Sequence, residues 1–142
     1  MKTKFDSVVK IKKQEVEKIE RNIEKINSSI SMLKNKITNL TQSLNSLFFP
    51  KNGNFSIIQQ VNLQKRFLLN EIKNYENQIN ILENRKNELT KELKKANIEY
   101  EKMKYLQNEE IKKQIKQKRL QEAKKIDEIA IMLENLKGKN GD

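Results

Sequence analysis

The residue types that carry most enzyme chemistry are missing from this chain. Its 142 residues include no histidine and no cysteine, so no side chain titrates near neutral pH and no thiolate is on hand as a nucleophile. No glycine-rich phosphate loop is present, since there are only three glycines in all. Carboxylates and amines remain. Glu109 and Glu110 are neighbouring carboxylates, the group that general acid–base chemistry uses. On an exposed helix face, however, nothing would shift either pKa toward a working value. The expectation is a protein that is not an enzyme, with no cofactor, no metal and no small-molecule substrate, acting through its surfaces.

The elements that carry those surfaces follow from the apolar spacing. Val16, Ile19, Ile23, Ile26, Ile30, Leu33, Ile37, Leu40, Leu44 and Leu47 recur at steps of three and four. After a break the rhythm resumes at Ile58 and Val61, and continues through Leu68, Ile72, Tyr75, Ile79, Leu82, Leu89, Leu93, Ala96, Tyr100 and Met103. Such steps trace one apolar stripe along a coiled-coil helix. Folding the chain at Asn52-Gly53, where positive φ is accessible, pairs seam positions whose numbers sum to 105: Leu47 with Ile58, Leu33 with Ile72, Val16 with Leu89, Phe5 with Tyr100. The predicted fold is all-α, a single domain over 1–142: an antiparallel two-helix coiled-coil hairpin with a longer C-terminal helix overhanging the open end.

The boundaries come from capping chemistry. Thr3 with Asp6 has capping-box spacing and starts helix one at about residue 3. Pro50 disfavours helix at Phe49 and stops it at about 48, with a turn over about 49–56. Ser56 with Gln59 offers a second box, so helix two spans about 57–137, with Gly138 placed to end it. Helix one runs out opposite Met103, and there the rhythm becomes Met103, Gln107, Ile111, Ile115. Those steps of four form a stutter, which locally unwinds a coiled coil. Residues 107–136 are therefore expected to lack an intramolecular partner. Their first part is basic, and their second regains an apolar stripe at Ile126, Ile129, Ala130, Leu133 and Leu136.

Charge and composition narrow the partners. The net charge is +11, with 30 Lys and Arg against 19 Asp and Glu. The lysines are interleaved with glutamates, only four residues are arginine, and aromatics make up 6%. Base readout and phosphate forks favour arginine, and single-strand binding needs stacking platforms, so nucleic acid is not the expected partner. A membrane-surface helix at 112–131 is weakly supported, because it lacks Trp and its apolar face is broken. No run of about 18 apolar residues and no N-terminal apolar leader exist, so a cytoplasmic protein is expected.

Three features invite a functional reading. The stripe at 126–136 has nothing of its own chain to cover it, which favours docking onto another protein over a frayed tail. Homodimerisation through this overhang stays open. Phe48, Phe49 and Phe55 cluster at the turn; the expectation is that they plug the closed end, the alternative that they form a docking knob. Lys12, Lys65 and Lys86 occupy seam positions, where their stems are expected to lie along the seam with the ammonium groups in water.

The segments FDSVVKIKKQEV (5–16), LQKRFLLNEIKNYENQI (63–79) and KKIDEIAIML (124–133), the last with Asp127, Glu128 and Ala130, resemble the flagellar export protein FliJ family. The resemblance runs the whole length. It implies a soluble component of the flagellar type III export apparatus, needed for flagellar assembly and motility. Such proteins resemble the central stalk of rotary ATPases, sit in the pore of a hexameric export ATPase, and contact the cytoplasmic domain of the membrane export gate and export chaperones. The implied location is cytoplasmic, at the inner-membrane face of the basal body, peripheral to the membrane only through protein partners. Residue by residue, the resemblance suggests an ATPase-binding set of Phe5, Val8, Val9, Ile126, Asp127, Glu128, Ile129, Ala130 and Leu133. For the gate it suggests Leu40, Leu44, Phe67 and Leu68. The competing readings are a structural or scaffolding coiled coil outside the flagellum and, less favoured, a basic coiled coil that binds nucleic acid.

Overall fold

The computed structural model describes residues 1–49 and 54–140. These form two long helices packed against each other, α1 (Asp6–Asn45) and α2 (Phe55–Asn140), with no strand among the described residues. The all-helical hairpin expected from the spacing is the fold observed. The seam positions are where burial concentrates. Val16, Ile30, Leu33, Ile79 and Leu89 are buried, and the other apolar seam residues are half-buried. A two-helix layer covers only one stripe per helix, which is why few side chains are fully enclosed. The Asn52-Gly53 turn lies outside the described residues.

The ends of both helices differ from expectation by two or three residues. The Ser46 N–H still donates to the Gln42 carbonyl (3.0 Å), but Leu47 bonds back only three residues, to Leu44 (3.3 Å), so α1 has closed by then. At the start of α2 the N–H groups of Ile57 and Ile58 already donate to the Asn54 carbonyl, at 3.0 and 3.3 Å. Ser56 therefore lies inside the first turn rather than capping it. Gly138 does not end α2, which continues to Asn140 with no positive-φ residue. Glycine weakens a helix by about 1 kcal/mol relative to alanine but stops it only when it turns left-handed.

The chain divides into two compact units. One is Glu15–Ala96. Its core is Ile30, Leu33 and Ile79, with Ile26, Ile37, Tyr75 and Leu82 packed against it. This cluster corrects the expected register. Pairing to a sum of 105 sets Leu33 opposite Ile72, whereas the structure groups Leu33 with Ile79. The Lys36 ammonium lies 5.4 Å from the centre of the Tyr75 ring, a pair whose numbers sum to 111. The helices are thus displaced by about one heptad from the simple fold-over. A strict three-four rhythm matches itself again after seven residues, so the stripe alone cannot choose between the two alignments.

The other unit is Met1–Gln14 with α2 from Asn97 on. Lys12 donates to Glu99 at 2.8 Å, again a pair summing to 111. Asp6 accepts from Gln107 at 2.9 Å. The non-helical N-terminal residues reach further, with the Gln114 side chain donating to the Lys2 carbonyl at 3.1 Å. The stutter positions Gln107, Ile111 and Ile115 are consequently half-buried, as are Glu110 and Gln114. The expectation that everything from 107 onward lacks a partner is corrected: the uncovered segment begins at Lys116, and every residue from there to Gly138 is exposed. The heptad displacement and the non-helical first five residues together carry the cover about two turns further along α2.

Candidate docking surfaces

The N-terminal contribution is built on one carboxylate. Asp6 accepts from the Thr3 N–H (3.1 Å) and the Thr3 hydroxyl (2.6 Å), and the Thr3 oxygen accepts from the Phe5 N–H (3.2 Å). This is the expected capping pair with one change, since the hydroxyl turns toward the acid and takes up the Phe5 amide. Gln107 supplies the third donor to Asp6. The Gln107 amide, then the Thr3 donors, hold the Asp6 carboxyl down from its ordinary 3.8 to about 2. The network orients the first helical turn. Phe5 and Val9 are half-buried, while Val8 points outward. Glu99 is likewise held low by the hydrogen bond and charge of Lys12.

The C-terminal contribution is a bare helix face. Ile126, Ile129, Leu133 and Leu136 recur at steps of three, four and three, and all are more than half exposed. Ala130 widens the stripe, Met132 borders it, and Asp127 and Glu128 lie exposed beside it. The structure does not merge the two contributions. Asp6, next in sequence to Phe5, is bonded to Gln107, and Ile126 lies nineteen residues further along α2, about 28 Å at the helical rise. The nine residues expected to act together therefore occupy two separate patches.

In the unit Glu15–Ala96, a groove is lined by Ser43, Leu47, Leu63, Gln64, Phe67 and Leu68. Phe67 is exposed and Leu68 half-buried beside it. Leu40 lines a neighbouring groove with Lys36, Asn39, Ser43 and Tyr75, while Leu44 is half-buried in the seam. Of the four residues expected at the gate, Phe67 is thus the one free to project. Leu63 was not anticipated; its off-seam position beside an aromatic four residues on was the available signal. Sequence reasoning also missed an apolar flank on α2 formed by Ile98, Tyr105 and Leu106. Ile98 and Tyr105 are seven residues apart, so they share a face that the seam does not use.

The turn aromatics do not plug the closed end. Phe48 is 77% exposed and Phe55 71%, with Phe49 less so. The Lys65 ammonium stands 6.0 Å from the Phe49 ring, and Lys65 is itself exposed rather than laid along the seam. Lys12 and Lys86 are half-buried, as seam lysines with buried stems should be. The reason for the misplaced plug is the register: with α1 ending at Asn45, no partner helix remains to cover the rings. Among the described residues no helix is long and apolar enough to cross a membrane, and no group of three or more acidic side chains is placed to hold a metal.

A family model described as flagellar FliJ protein matches residues 1–139. No curated protein and no solved structure gives a match.

Proposed function

Because this chain belongs to the flagellar FliJ family, and so to the non-catalytic components of flagellar export, we propose that it couples the export ATPase ring to the export gate through two separate surfaces. The ATPase surface is the bare stripe of α2, with Ile126, Ile129, Ala130 and Leu133 as apolar contacts and Asp127 and Glu128 as flanking charges. Phe5, Val8 and Val9 contribute from their own patch. The observation that carries this reading is the stripe itself: at least four large apolar side chains in a row, each more than half exposed, on a segment with no cover. A lone helix of this length is marginal in water, and burial against a partner is what would stabilise it. Family membership sets aside the scaffold outside the flagellum.

The gate surface is the groove around Phe67 and Leu68, with Leu40 and Leu44 supporting it from within the seam. Export chaperones share these surfaces in turn. Two variants test the assignment. Ile129→Asp with Leu133→Asp should abolish co-purification of the export ATPase and swimming, while the gate's cytoplasmic domain is still captured. Phe67→Ser should do the reverse for capture. All three substitutions lie on exposed positions, so helicity should be unchanged. Normal ATPase capture by the double variant would refute the assignment of the stripe.

A further inference from the structure

The bare stripe of α2 has a covered twin on the same helix. Ile111 and Ile115 stand four residues apart, and so do Ile129 and Leu133. Each member of the second pair follows its counterpart by eighteen residues, which is five full helical turns. The two pairs therefore point to the same side of α2, about 27 Å apart at the helical rise. Ile129 and Leu133 are more than half exposed, whereas Ile111 and Ile115 are half-buried. Helix α1 is not what covers the first pair, because its first residue, Asp6, already lies at Gln107. The cover is the non-helical segment 1–5, in the same compact unit. Its grip is slight. The Gln114 side chain donates to the Lys2 carbonyl (3.1 Å), and Gln107 donates to Asp6 at the root of the segment (2.9 Å). Met1, Lys2 and Lys4 are exposed. A segment held in this way opens at little cost.

We infer that residues 1–5 are a displaceable strap: in the free protein they cover Ile111 and Ile115, and they swing away about Asp6 when the export ATPase closes along this side of α2 to take both pairs. The inference rests on the ATPase reading of the stripe and adds its regulation. The matching of the pairs is what favours it. A surface that grips Ile129 and Leu133 and continues along α2 meets the same spacing again, in the same orientation. Arg119 and Glu122, exposed between the pairs, leave them as two separate footings. Strap and partner cannot both occupy Ile111 and Ile115. The closed strap therefore lowers the apparent affinity in proportion to the fraction of molecules in which it is open. Opening also frees Phe5, a half-buried member of the proposed ATPase-binding set.

The test fixes the strap shut in the full-length protein. The chain has no cysteine, so Lys2→Cys with Gln114→Cys can be bridged by bis-maleimidoethane. The same variant capped with N-ethylmaleimide is its open counterpart. The bridged form should bind the purified export ATPase at least fivefold more weakly than the capped form. Gln114→Ala, which removes the anchor on the Lys2 carbonyl, should bind about threefold more tightly than the parent, the effect of one hydrogen bond. Circular dichroism should show the same helicity in every form. Equal affinity of the bridged and capped forms, with Ile129→Asp and Leu133→Asp together still abolishing binding, overturns the strap and leaves the stripe assignment standing. Binding undiminished by Ile129→Asp with Leu133→Asp removes the stripe assignment and the strap with it.

Discussion

The side-chain amide of Gln107 donates to the carboxylate of Asp6 at 2.9 Å, tying the first turn of α1 to α2 at the point where the apolar rhythm of α2 changes. That contact is the largest single reason the Asp6 carboxyl is held near 2. Gln107→Ala should therefore move the Asp6 pKa back toward 3.8, read directly by carboxyl NMR titration. An unchanged value would mean that the two Thr3 donors suffice.

The same group sets a pH window. A carboxylate whose folded pKa lies below its unfolded pKa contributes stability that is fully present above the unfolded value and lost as pH falls through the folded one. For Asp6 the loss should run from about 4 down to about 2. Thermal melts of the parent between pH 5 and pH 2 should therefore fall more steeply than those of Asp6→Asn. Parallel curves would show that the contact does not survive in solution.

Packing energy should follow burial along the seam. Leu89 is 3% exposed, and Leu89→Ala should destabilise the protein by about 2–3 kcal/mol in urea titrations. Ile81, on the same helix but 68% exposed, should tolerate alanine within about 0.5 kcal/mol. Equal effects at both positions would contradict the seam.

The register can be trapped covalently, because the chain has no cysteine of its own. Leu33→Cys with Ile79→Cys should oxidise to an intramolecular disulfide, since both residues share one buried cluster. Leu33→Cys with Ile72→Cys should not, because seven residues along a helix displace the partner by about 10 Å, beyond disulfide reach. Efficient bridging of the second pair instead would restore the simple fold-over.

These contrasts mark how far the residues alone could be read. Which positions face the partner helix was legible, because Val16, Ile30, Leu33, Ile79 and Leu89 stand on an unbroken three-four rhythm and all five are buried. Which residue faces which was not, because that rhythm is satisfied again seven residues on. The Thr3–Asp6 cap was legible from its spacing, but Gln107 as its third donor was not, since a polar residue at a stutter reads as the end of packing. The exposure of Phe48 and Phe55 escaped for a related reason: aromatic rings beside a turn look like a plug unless the helix ends are known. The stripe at Ile126, Ile129 and Leu133 was visible from the start, because exposed apolar spacing needs no register.

Hydrogen exchange on α2, with and without the purified export ATPase, tests the docking of this stripe most directly. Backbone amides across 120–136 should exchange quickly in the free protein, where every side chain of that segment is exposed. They should slow at least tenfold when the ATPase is present, while amides around Leu33 and Ile79 change little. Protection that leaves 120–136 untouched and falls elsewhere would contradict the claim that this bare face is where the ATPase binds.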